Sequence, residues 1–300
     1  MENEICCVVV TYNRKKELLT NIKQLLLQSV GCDILIFDNA STDLTEELLK
    51  ENKILELDNV IYHKSDKNIG GAGGFSKGLK IAFDLGYKYF WLMDDDGYPK
   101  NEQTLLNCLS KINSLGVKDA IINSLVVCDE NKLSFELCKT KDATVAINKS
   151  ENNVLENEIR PFNGTLITRS VVSKIGFPKE EFFIKGDEIE YLLRAKRAGA
   201  RIATAVDSLY YHPELVDQKV KVLGKPLGLS DESYWKEYYR TRNYVYINWK
   251  YSGLSGLTKH IVITFIKMVY YKSDKKRKIF YTLKGLKDGL INKFNTIEIK

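Results

Sequence analysis

The first hundred residues alternate between short apolar runs and segments whose apolar residues recur every three or four positions. The runs, which are typical of strands buried on both faces of a sheet, are residues 5–11, 33–38, 60–63 and 89–93. The intervening segments carry apolar stripes such as Leu18, Ile22 and Leu25, which indicate amphipathic helices. Strands that alternate with helices predict an α/β fold with a mostly parallel sheet and right-handed crossovers.

Polar residues predict where the first two helices begin. Asn13 follows the first apolar run, and its side chain can accept a hydrogen bond from a free backbone N–H of the next helix. Asp43 follows the second run and has Glu46 three residues later, a spacing that predicts a capping box. We therefore expect Asn13 and Asp43 to cap these helices.

The pattern is weaker in the second half of the chain. Residues 128–160 are polar and weakly periodic, which predicts a loop or an irregular hairpin. A helix is expected from about Asp187 and a short strand at residues 202–206. We divide the chain into a main domain, residues 1–230, and a helical, basic and amphipathic C-terminal region, residues 231–300.

The composition is that of a folded protein with reduced thiols. The 300 residues are 44% hydrophobic and 28% charged, which suffices for one large domain with a smaller appendage. The six cysteines form no C-x-x-C pair and predict buried, reduced thiols in a cytosolic protein. Residues 1–4 are acidic and lead directly into a strand, so we expect no signal peptide. No apolar stretch reaches the ~20 residues of a membrane span.

The positive charge is concentrated near the C-terminus. Residues 259–300 hold eleven Lys and Arg against three acids, so the rest of the chain is slightly acidic although the net charge is +6. This distribution argues against a nucleic-acid groove in the main domain. The apolar residues 261–271 are followed by the basic cluster 275–278, which predicts an interfacial helix on an anionic membrane. The alternative is an ordinary packed helix with a solvated basic face.

Three adjacent carboxylates, Asp94, Asp95 and Asp96, end the fourth apolar run. Side chains alternate along an extended chain, so Asp94 and Asp96 can point the same way. Like charges this close repel, and a hard divalent cation such as Mg²⁺ or Mn²⁺ would relieve the repulsion. The alternative is an acidic turn stabilised by solvent.

Four polar clusters follow the predicted strands, and ligands of parallel sheets bind beyond the carboxyl ends of the strands. These clusters are residues 11–13, 38–39, 68–74 and 94–96. The glycines of 70–74 are not followed by the Gly-Lys-Ser/Thr of a P-loop. They allow the backbone to lie close to a ligand and offer helix N-terminal N–H groups to an anion, which favours a nucleoside-diphosphate site. Alone, they also fit a flexible turn.

Two acids and one histidine in the second half are further candidates. Asp187 and Glu188 open a helix, where acids interact well with the helix dipole, but one of the two can serve instead as a general base for an acceptor hydroxyl. His212 precedes Pro213 in a loop that can close over the site, and a neutral imidazole can complete a carboxylate–histidine metal set. An isolated histidine is otherwise structural.

A run of aromatic residues at helical spacing, which includes Trp235 and Tyr246, follows in residues 235–246. Core packing is the expected role of most of them. Arg240 and Arg242 can instead reach phosphate.

Taken in chain order, these motifs resemble the family 2 glycosyltransferases of the GT-A, Rossmann-like fold. The matching segments are residues 9–14 (VVTYNR), 37–43 (FDNASTD), 68–75 (NIGGAGGF) and 93–96 (MDDD), with an echo at 238–243 (YYRTRN). The similarity covers roughly residues 5–215. The glycine segment and the aspartate triplet are most similar to the galactofuranosyltransferase and rhamnosyltransferase branch.

The resemblance implies a role for each matching position. The nucleotide-sugar donor would be contacted by Thr11, Tyr12, Asn13, Asp38, Asn68, Gly70, Gly71, Asp94 and Asp95. A cofactor, Mn²⁺ or Mg²⁺, would be held by Asp94, Asp96 and His212. Asp187 and Glu188 match the acidic pair of the family, whose second member is the usual base. That pair commonly ends in Asp, so the choice between Asp187 and Glu188 is open.

The implied function is inverting, metal-dependent transfer of a sugar from a nucleoside diphosphate, with a UDP-sugar favoured and galactofuranose as one candidate. The acceptor would be a hydroxyl of a glycan or of a lipid-linked substrate in cell-surface polysaccharide assembly, and a protein acceptor is equally compatible. dTDP-rhamnose is the alternative donor. The rival classes are a nucleotidyltransferase, a non-catalytic sugar-nucleotide-binding protein and an inactive membrane scaffold. We expect a cytoplasmic protein, peripheral at the inner face of the membrane, that binds no nucleic acid and is compatible with a homo-oligomer.

Overall fold

The computed structural model describes residues 3–214, 218–222, 225–229 and 232–297. By its internal contacts, the chain divides into two compact units. The first unit is Met1–Pro178 with Tyr191–Leu215, and the second is Lys179–Glu190 with Val216–Lys300. Residues 230 and 231, where the predicted domain boundary falls, lie outside the described residues.

The first unit is built on one mixed sheet with helices on its faces. Its strands are β1 (Ile5–Thr11), β2 (Asp33–Asp38), β3 (Val60–Lys64), β4 (Tyr89–Asp94), β5 (Tyr98–Pro99), β6 (Ala120–Asp129), β7 (Lys132–Leu137), β8 (Thr140–Asp142), β9 (Val154–Glu156), β10 (Asn163–Thr168) and β11 (Arg201–Tyr211). Its helices are α1 (Lys15–Leu25), α2 (Thr45–Glu51), α3 (Gly70–Asp84), α4 (Thr104–Leu115), α5 (Ala143–Ile147), α6 (Arg169–Ile175) and most of α7 (Asp187–Arg197). This arrangement confirms the predicted fold class.

The strand order places the predicted polar clusters along one edge. The main path of the sheet is β3-β2-β1-β4-β10-β6-β11-β5. The strands from β3 to β4 are parallel, whereas β10 lies antiparallel between β4 and β6 and makes the sheet mixed. In register, Thr11 pairs with Asp38 and Val10 with Asp94, so the carboxyl ends of β1, β2 and β4 are level.

The central strand β1 is buried on both faces, as its unbroken apolar run predicts. Cys7 and Val9 belong to the core cluster that includes α1, and Val8 and Val10 belong to the cluster that includes α3. Helix α3 can approach this closely because it carries glycine where it meets the strand. A Cβ atom on Gly74 would lie 2.5 Å from Cγ1 of Val10.

Both predicted helix caps are wrong, because each of the two side chains binds the backbone of the other segment. Helix α1 begins at Lys15, and Asn13 instead accepts a hydrogen bond from the backbone N–H of Thr42 at 2.7 Å. Asp43 does cap a helix, but it is α1: its Oδ2 accepts from the N–H of Lys15 at 3.1 Å. Glu46 forms no capping box and pairs with lysines. Partners close in space therefore replace those close in sequence.

The weakly periodic segment 128–160 contains more regular structure than expected. Strands β6 and β7 pair antiparallel as an irregular hairpin, as one of the two predicted alternatives. The segment also contains β8, α5 and β9, and β9 pairs with β11.

The described residues of the second unit include the start of α7, a two-stranded hairpin and two long helices. The hairpin and the long helices are β12 (Gln218–Val222), β13 (Lys225–Leu229), α8 (Tyr234–Val269) and α9 (Lys275–Leu290). Helix α8 is broken at Gly253, whose φ of 64° and ψ of −159° only glycine adopts readily. Val245, Leu257 and Leu286 contribute to its apolar core. Of the helices in the described residues, none combines the length and apolar character needed to cross a membrane.

Candidate active site

The three adjacent aspartates at the end of β4 differ in their burial. Asp94 and Asp96 are half-buried, whereas Asp95 is 6% exposed. Oδ2 of Asp95 accepts hydrogen bonds from Oγ1 of Thr11 at 2.8 Å and from the backbone N–H of Tyr12 at 3.3 Å. Asp95 therefore joins the ends of β1 and β4, whereas Asp94 and Asp96 are the members of the triplet that keep part of their surface exposed.

Burial makes Asp95 a weak acid. Loss of solvent raises its pKa to about 7, and the nearby charge of Asp96 acts in the same direction. The hydrogen bonds from Thr11 and Tyr12 and the charge of Arg14 oppose this shift. The carboxyl is therefore poised between its two protonation states at neutral pH, and a positive charge nearby would favour ionisation.

Asp96 lies between two basic side chains. Nη1 of Arg14 is 2.5 Å from its Oδ2, and Nε2 of His212 is 3.4 Å from its Oδ1. The Arg14 side chain is 49% exposed, so this ion pair is accessible to water and weak. Arg14 belongs to the motif at residues 9–14, but the sequence does not predict its contact with Asp96.

His212 is held with Nε2 directed at Asp96. Its Nδ1 is 2.7 Å from the carbonyl oxygen of Pro213, and a carbonyl only accepts, so Nδ1 carries the proton. Its backbone is fixed by Val127 and by Ser134, whose hydroxyl donates to the carbonyl of His212 at 2.6 Å. In the neutral imidazole, a lone pair on Nε2 therefore faces a carboxylate oxygen, an arrangement that a proton or a shared cation stabilises.

The donor set fits a divalent cation, although it is not assembled in full. Within the described ranges, no group of three or more His, Cys, Asp or Glu side chains is arranged to hold a metal ion. Asp96 and His212 face each other, and Asp94 is the last residue of β4, two positions before Asp96. Two carboxylates and an imidazole are ligands that suit Mn²⁺.

The loop after β2 is organised by the fully buried carboxylate of Asp38. Its Oδ1 accepts from the N–H of Ser41 at 2.7 Å, and its Oδ2 accepts from the hydroxyl of Tyr62 at 2.6 Å. Tyr12 across the edge is 44% exposed, which leaves its ring free to contact a planar ligand. Tyr62 lies on β3, and its partnership with Asp38 has no signal in the sequence around either residue.

The glycine segment is held by an amide network. Oδ1 of Asn39 accepts from the N–H of Ile69 at 2.9 Å, and its Nδ2 donates to Oδ1 of Asn68 and to the carbonyl of Gly70. Asn68 in turn accepts from the N–H of Gly70 at 2.8 Å. A Cβ atom on Gly71 would meet no atom within 4 Å, so the first turn of α3 faces open space there.

Asn21 is a supporting residue that sequence reasoning missed. It is fully buried on α1, and its Nδ2 donates to the carbonyls of Gly97 at 2.5 Å and Asp94 at 3.3 Å. It therefore fixes both ends of the aspartate turn. A signal was present, because Asn21 is a polar residue within the apolar stripe of α1.

The acidic pair lies at the start of α7, in the second unit. Oε2 of Glu188 accepts from the N–H of Gly186 at 3.0 Å, and Asp187 is 5% exposed. Farther along, Glu190 is fully buried and accepts from the hydroxyl of Tyr251 at 2.7 Å. Glu188 is the member of the pair that is half-exposed.

The two arginines of α8 do not serve as free phosphate ligands. Arg242 is fully buried, and its guanidinium donates to backbone carbonyls, including that of Phe182 at 3.0 Å. Arg240 pairs with Glu232 and with Glu237. The prediction that Arg242 can reach phosphate is therefore wrong, because its guanidinium already donates to backbone carbonyls. Arg240 has two carboxylate partners instead of a phosphate.

A mixed α/β sheet flanked by helices, with an aspartate turn at its carboxyl edge, is the architecture of GT-A glycosyltransferases. Solved structures that share this fold include S. aureus TarS, residues 1–349, with a TM-score of 0.60 and 15% identity over 97% of this chain and 82% of that one. The mannosyltransferase PcManGT of Pyrobaculum calidifontis, solved with GDP-Man and Mn²⁺, has a TM-score of 0.56 and 11% identity over 98% of this chain and 88% of that one. TarS is also known with UDP-GlcNAc (TM-score 0.53, 14% identity, 99% and 94%). At these identities the likeness establishes the fold alone.

Sequence relatives extend the likeness beyond the fold. The profile of Glycosyl transferase family 2 matches residues 6–174. Galactofuranosyltransferase GlfT1 of Mycobacterium tuberculosis is 30% identical over 82% of this chain and 83% of its own length. The dTDP-rhamnosyl transferase RfbF of Shigella flexneri is 24% identical over 95% and 94%. The chain belongs to glycosyl transferase family 2 and is a glycosyltransferase, which confirms the resemblance to that family.

Proposed function

We propose that this glycosyltransferase is an inverting, divalent-metal-dependent enzyme that moves a sugar from a nucleoside diphosphate to an acceptor hydroxyl. The observation that carries the proposal is the convergence of Asp96, His212 and the loop after β1 at the carboxyl edge of one sheet. The acceptor class that we favour is a glycan or lipid-linked substrate of cell-surface polysaccharide assembly.

On the donor side, each side chain has a defined task. Asp94, Asp96 and His212 would hold Mn²⁺ or Mg²⁺, which when bound supplies positive charge to the leaving diphosphate. Asp95 keeps Thr11 and Tyr12 in place beneath the nucleoside. Asn13, Asp38, Asn68 and the first turn of α3 at Gly70 and Gly71 complete the predicted donor contacts, and the N-terminus of that helix favours an anion.

On the acceptor side, Glu188 is our preferred base. It would take the proton of the acceptor hydroxyl as the oxygen attacks the anomeric carbon, on the face opposite the leaving group. Its partial exposure and its anchoring by the N–H of Gly186 support this choice. Asp187 is the alternative base.

The relatives support UDP as the favoured nucleotide and leave dTDP as the alternative. GlfT1 is named a galactofuranosyltransferase, and TarS is known with UDP and with UDP-GlcNAc. RfbF, which is less similar over a larger share of the chain, is named a dTDP-rhamnosyl transferase. UDP-galactofuranose is therefore the first donor to test and dTDP-rhamnose the second.

Thermal unfolding with UDP, dTDP, GDP or CMP, each with Mn²⁺ or with EDTA, tests the donor site. A ligand that binds only the folded state raises the unfolding temperature by mass action. We expect a shift with one nucleotide that requires Mn²⁺, followed by release of the same nucleotide from its sugar donor when acceptor is added. The absence of a shift with all four nucleotides would contradict the proposed donor site.

The second unit supports peripheral binding to an anionic membrane. Its two long helices carry large apolar side chains that are each at least 45% exposed: Leu254, Val262, Phe265, Val269, Phe280, Leu283 and Leu290. Ile291, which follows α9, is exposed as well. Exposed basic residues lie beside them, including Lys275, Lys276 and Arg277. Lys278 of the basic cluster instead faces inward, where its Nζ donates to Oγ of Ser273 at 2.8 Å.

Vesicle flotation tests this surface. Binding is expected to vesicles that contain phosphatidylglycerol, to weaken in high salt, and to be lost in the double variant Val262→Ser, Phe265→Ser. Val145→Ser, an exposed apolar residue on α5 of the first unit, is the control. Equal binding of both variants would remove the support for a membrane location at the inner face of the cell membrane.

Membership of the family disfavours the rival classes. A nucleotidyltransferase, a non-catalytic sugar-nucleotide sensor and an inactive scaffold would each have to depart from the activity of a glycosyltransferase family. Release of a nucleoside diphosphate without pyrophosphate separates transfer from all three. A homo-oligomer and a protein acceptor stay predictions without further support.

A further inference from the structure

The segment that leads to the acidic pair, residues 181–186, is a strained loop, which we call the base loop. Phe183 has φ 64° and ψ −63°, and Lys185 has φ 68°. Neither residue type adopts positive φ readily, so such a conformation persists only where surrounding contacts impose it. The N–H of Ile184 donates to the carbonyl of Phe182 at 2.8 Å and closes a three-residue turn around Phe183.

Two adjacent residues of α8, Arg242 and Asn243, bind the base loop through its carbonyls, and we call them the α8 clamp. Nδ2 of Asn243 lies 3.0 Å from the carbonyl oxygen of Phe182, 2.9 Å from that of Ile184 and 2.8 Å from that of Lys185. Nη2 of Arg242 donates to the carbonyls of Glu181 and Phe182 at 2.9 and 3.0 Å. Nε of Arg242 donates to Oδ1 of Asn243 at 2.9 Å, which orients the amide.

Both residues of the clamp are fully buried, so these hydrogen bonds form out of contact with water. Buried bonds of this kind are stronger than exposed ones, and loss of one partner leaves the other unsatisfied. The loop is also stabilised by ring stacking, since the ring centroids of Phe183 and Tyr239 are 4.9 Å apart. At the end of the loop, a Cβ atom on Gly186 would lie 3.0 Å from Cδ1 of Ile247.

Hydrogen bonds connect the α8 clamp to Glu188 through the backbone of the base loop. The clamp's hydrogen bonds go to four of the loop's carbonyls, and the loop ends at Gly186, whose N–H donates to the carboxylate of Glu188. The chain from Asn243 through Lys185 to Glu188 is therefore continuous and made of short, directional contacts. A shift of the loop would move the carboxylate with it.

We propose that Arg242 and Asn243 are positioning residues that hold the base loop in its strained conformation and thereby set the orientation of the acidic pair. This role rests on the proposed function, because it matters for turnover only if Asp187 or Glu188 acts as the base. A misplacement of a reacting group by about 1 Å can lower the rate about 100-fold. In the motif at residues 238–243, Arg242 and Asn243 would then position the base, whereas Tyr238 and Tyr239 are buried in the core.

Asn243→Asp tests the clamp with almost no change in volume. The carboxylate can keep its bond from Nε of Arg242 but loses the N–H donors that three carbonyls share. Asn248→Asp is the matched control, since Asn248 lies on the same helix and its Nδ2 donates to the carbonyl of Tyr244 four residues earlier rather than to the base loop. Arg242→Lys, which keeps the charge and removes the forked donor, is the second variant.

We expect kcat of Asn243→Asp to fall about 100-fold, with the KM of the donor and the binding of nucleotide with Mn²⁺ within about twofold of the unaltered protein. Arg242→Lys should show the same split with a smaller loss, and Asn248→Asp should show none. Normal kcat in a folded Asn243→Asp protein would overturn the proposal. An equal fall in nucleotide binding would also overturn it, because it would indicate general damage.

Hydrogen exchange of residues 181–190 gives a readout that does not depend on activity. We expect faster amide exchange in this segment for Asn243→Asp at unchanged exchange of β1 and β4, and no change for Asn248→Asp. Unchanged exchange in the loop would overturn the clamp even if no turnover were found. Absence of turnover in the unaltered protein, together with faster loop exchange in the variant, would instead count against the proposed function alone.

Discussion

The aspartate turn after β4 and the acidic pair at the start of α7 are held in opposite ways. The turn follows directly from a parallel strand, and its neighbours Thr11 and Arg14 follow from the adjacent strand. The acidic pair follows an irregular loop that is fixed by side chains about sixty residues farther along the chain, at Arg242 and Asn243.

The difference concerns where the rigidity of each region originates. At the end of β4, the sheet already sets the backbone, so the side chains are left to bind, and one of them, Asp95, becomes a weak acid in the process. At the base loop, buried side chains supply the hydrogen bonds to backbone carbonyls that a neighbouring strand supplies within a sheet. The function of a site residue at a strand end therefore depends mainly on its own side chain. The function of one that follows such a loop also depends on the distant side chains that hold the loop.

The largest expected effect is the loss of turnover when either region loses its functional carboxylate. Asp96→Asn and Glu188→Gln should each lower turnover by about 1000-fold or more, because one removes a ligand and the other the base. Stabilisation by UDP with Mn²⁺ should be lost in Asp96→Asn and kept in Glu188→Gln. An active Glu188→Gln enzyme would move the role of the base to Asp187.

A second prediction compares two glycines of α3, one that packs against a strand and one that is expected to lie near the nucleotide. Gly74→Ala should lower the free energy of unfolding by about 1–3 kcal/mol, because the new methyl group would collide with Val10. Gly71→Ala has open space around it and should leave stability unchanged or slightly raised. If the diphosphate lies at the first turn of α3, Gly71→Ala should still weaken nucleotide binding. Thermal unfolding with and without nucleotide measures both, and equal stability of the two variants would contradict the packing argument.

A third prediction uses a half-buried histidine of the second unit, His260. Burial, with a contribution from the charge of Lys267, lowers the pKa of His260 from 6.5 to about 4. Between these values the unfolded chain binds the proton and the folded chain does not, so stability falls as the pH falls from about 6.5 towards about 4. We expect a loss of about 1–2 kcal/mol between about pH 7 and about pH 5.

The variant His260→Gln serves as the comparison for this pH dependence. It should flatten the fall in unfolding temperature over the same range, since glutamine does not titrate. If the two proteins show the same pH profile, the acid sensitivity arises elsewhere.

The smallest expected effect concerns Arg14. It pairs with Asp96 without nucleotide, so Arg14→Gln should tighten binding of Mn²⁺ alone by about two- to fivefold, the range expected for an exposed ion pair. Titration followed by the electron paramagnetic resonance of free Mn²⁺ measures this directly. Weaker binding in the variant would show that Arg14 supports the cation site rather than competing with it.

The sequence was sufficient for the parts of the molecule whose signals are local. The unbroken apolar run of β1, the stripe of Leu18, Ile22 and Leu25, and the polar clusters after the strands predicted the first half of the sheet and the level edge of the site. The roles assigned to the site residues stay predictions, although the structure places Asp96 beside His212.

The parts that could not be predicted depend on partners distant in sequence. The antiparallel insertion of β10 between β4 and β6 follows from tertiary packing, and nothing in the run Asn163–Thr168 specifies its neighbours. Asp43 caps the first helix rather than the second because the two loops lie side by side. Arg242 and Asn243 were recognised as part of a motif, but only the folded chain reveals that they bind carbonyls about sixty residues earlier.

The shared use of Asp95 has a consequence for changing the donor by protein engineering. A single carboxylate connects Thr11 and Tyr12, which are expected beside the nucleoside, to the turn that carries Asp94 and Asp96. Substitutions that recast the loop after β1 for another nucleotide would therefore disturb the metal turn as well. The two loops form one exchangeable module, and grafts between relatives with different donors should move residues 11–14 and 94–97 together.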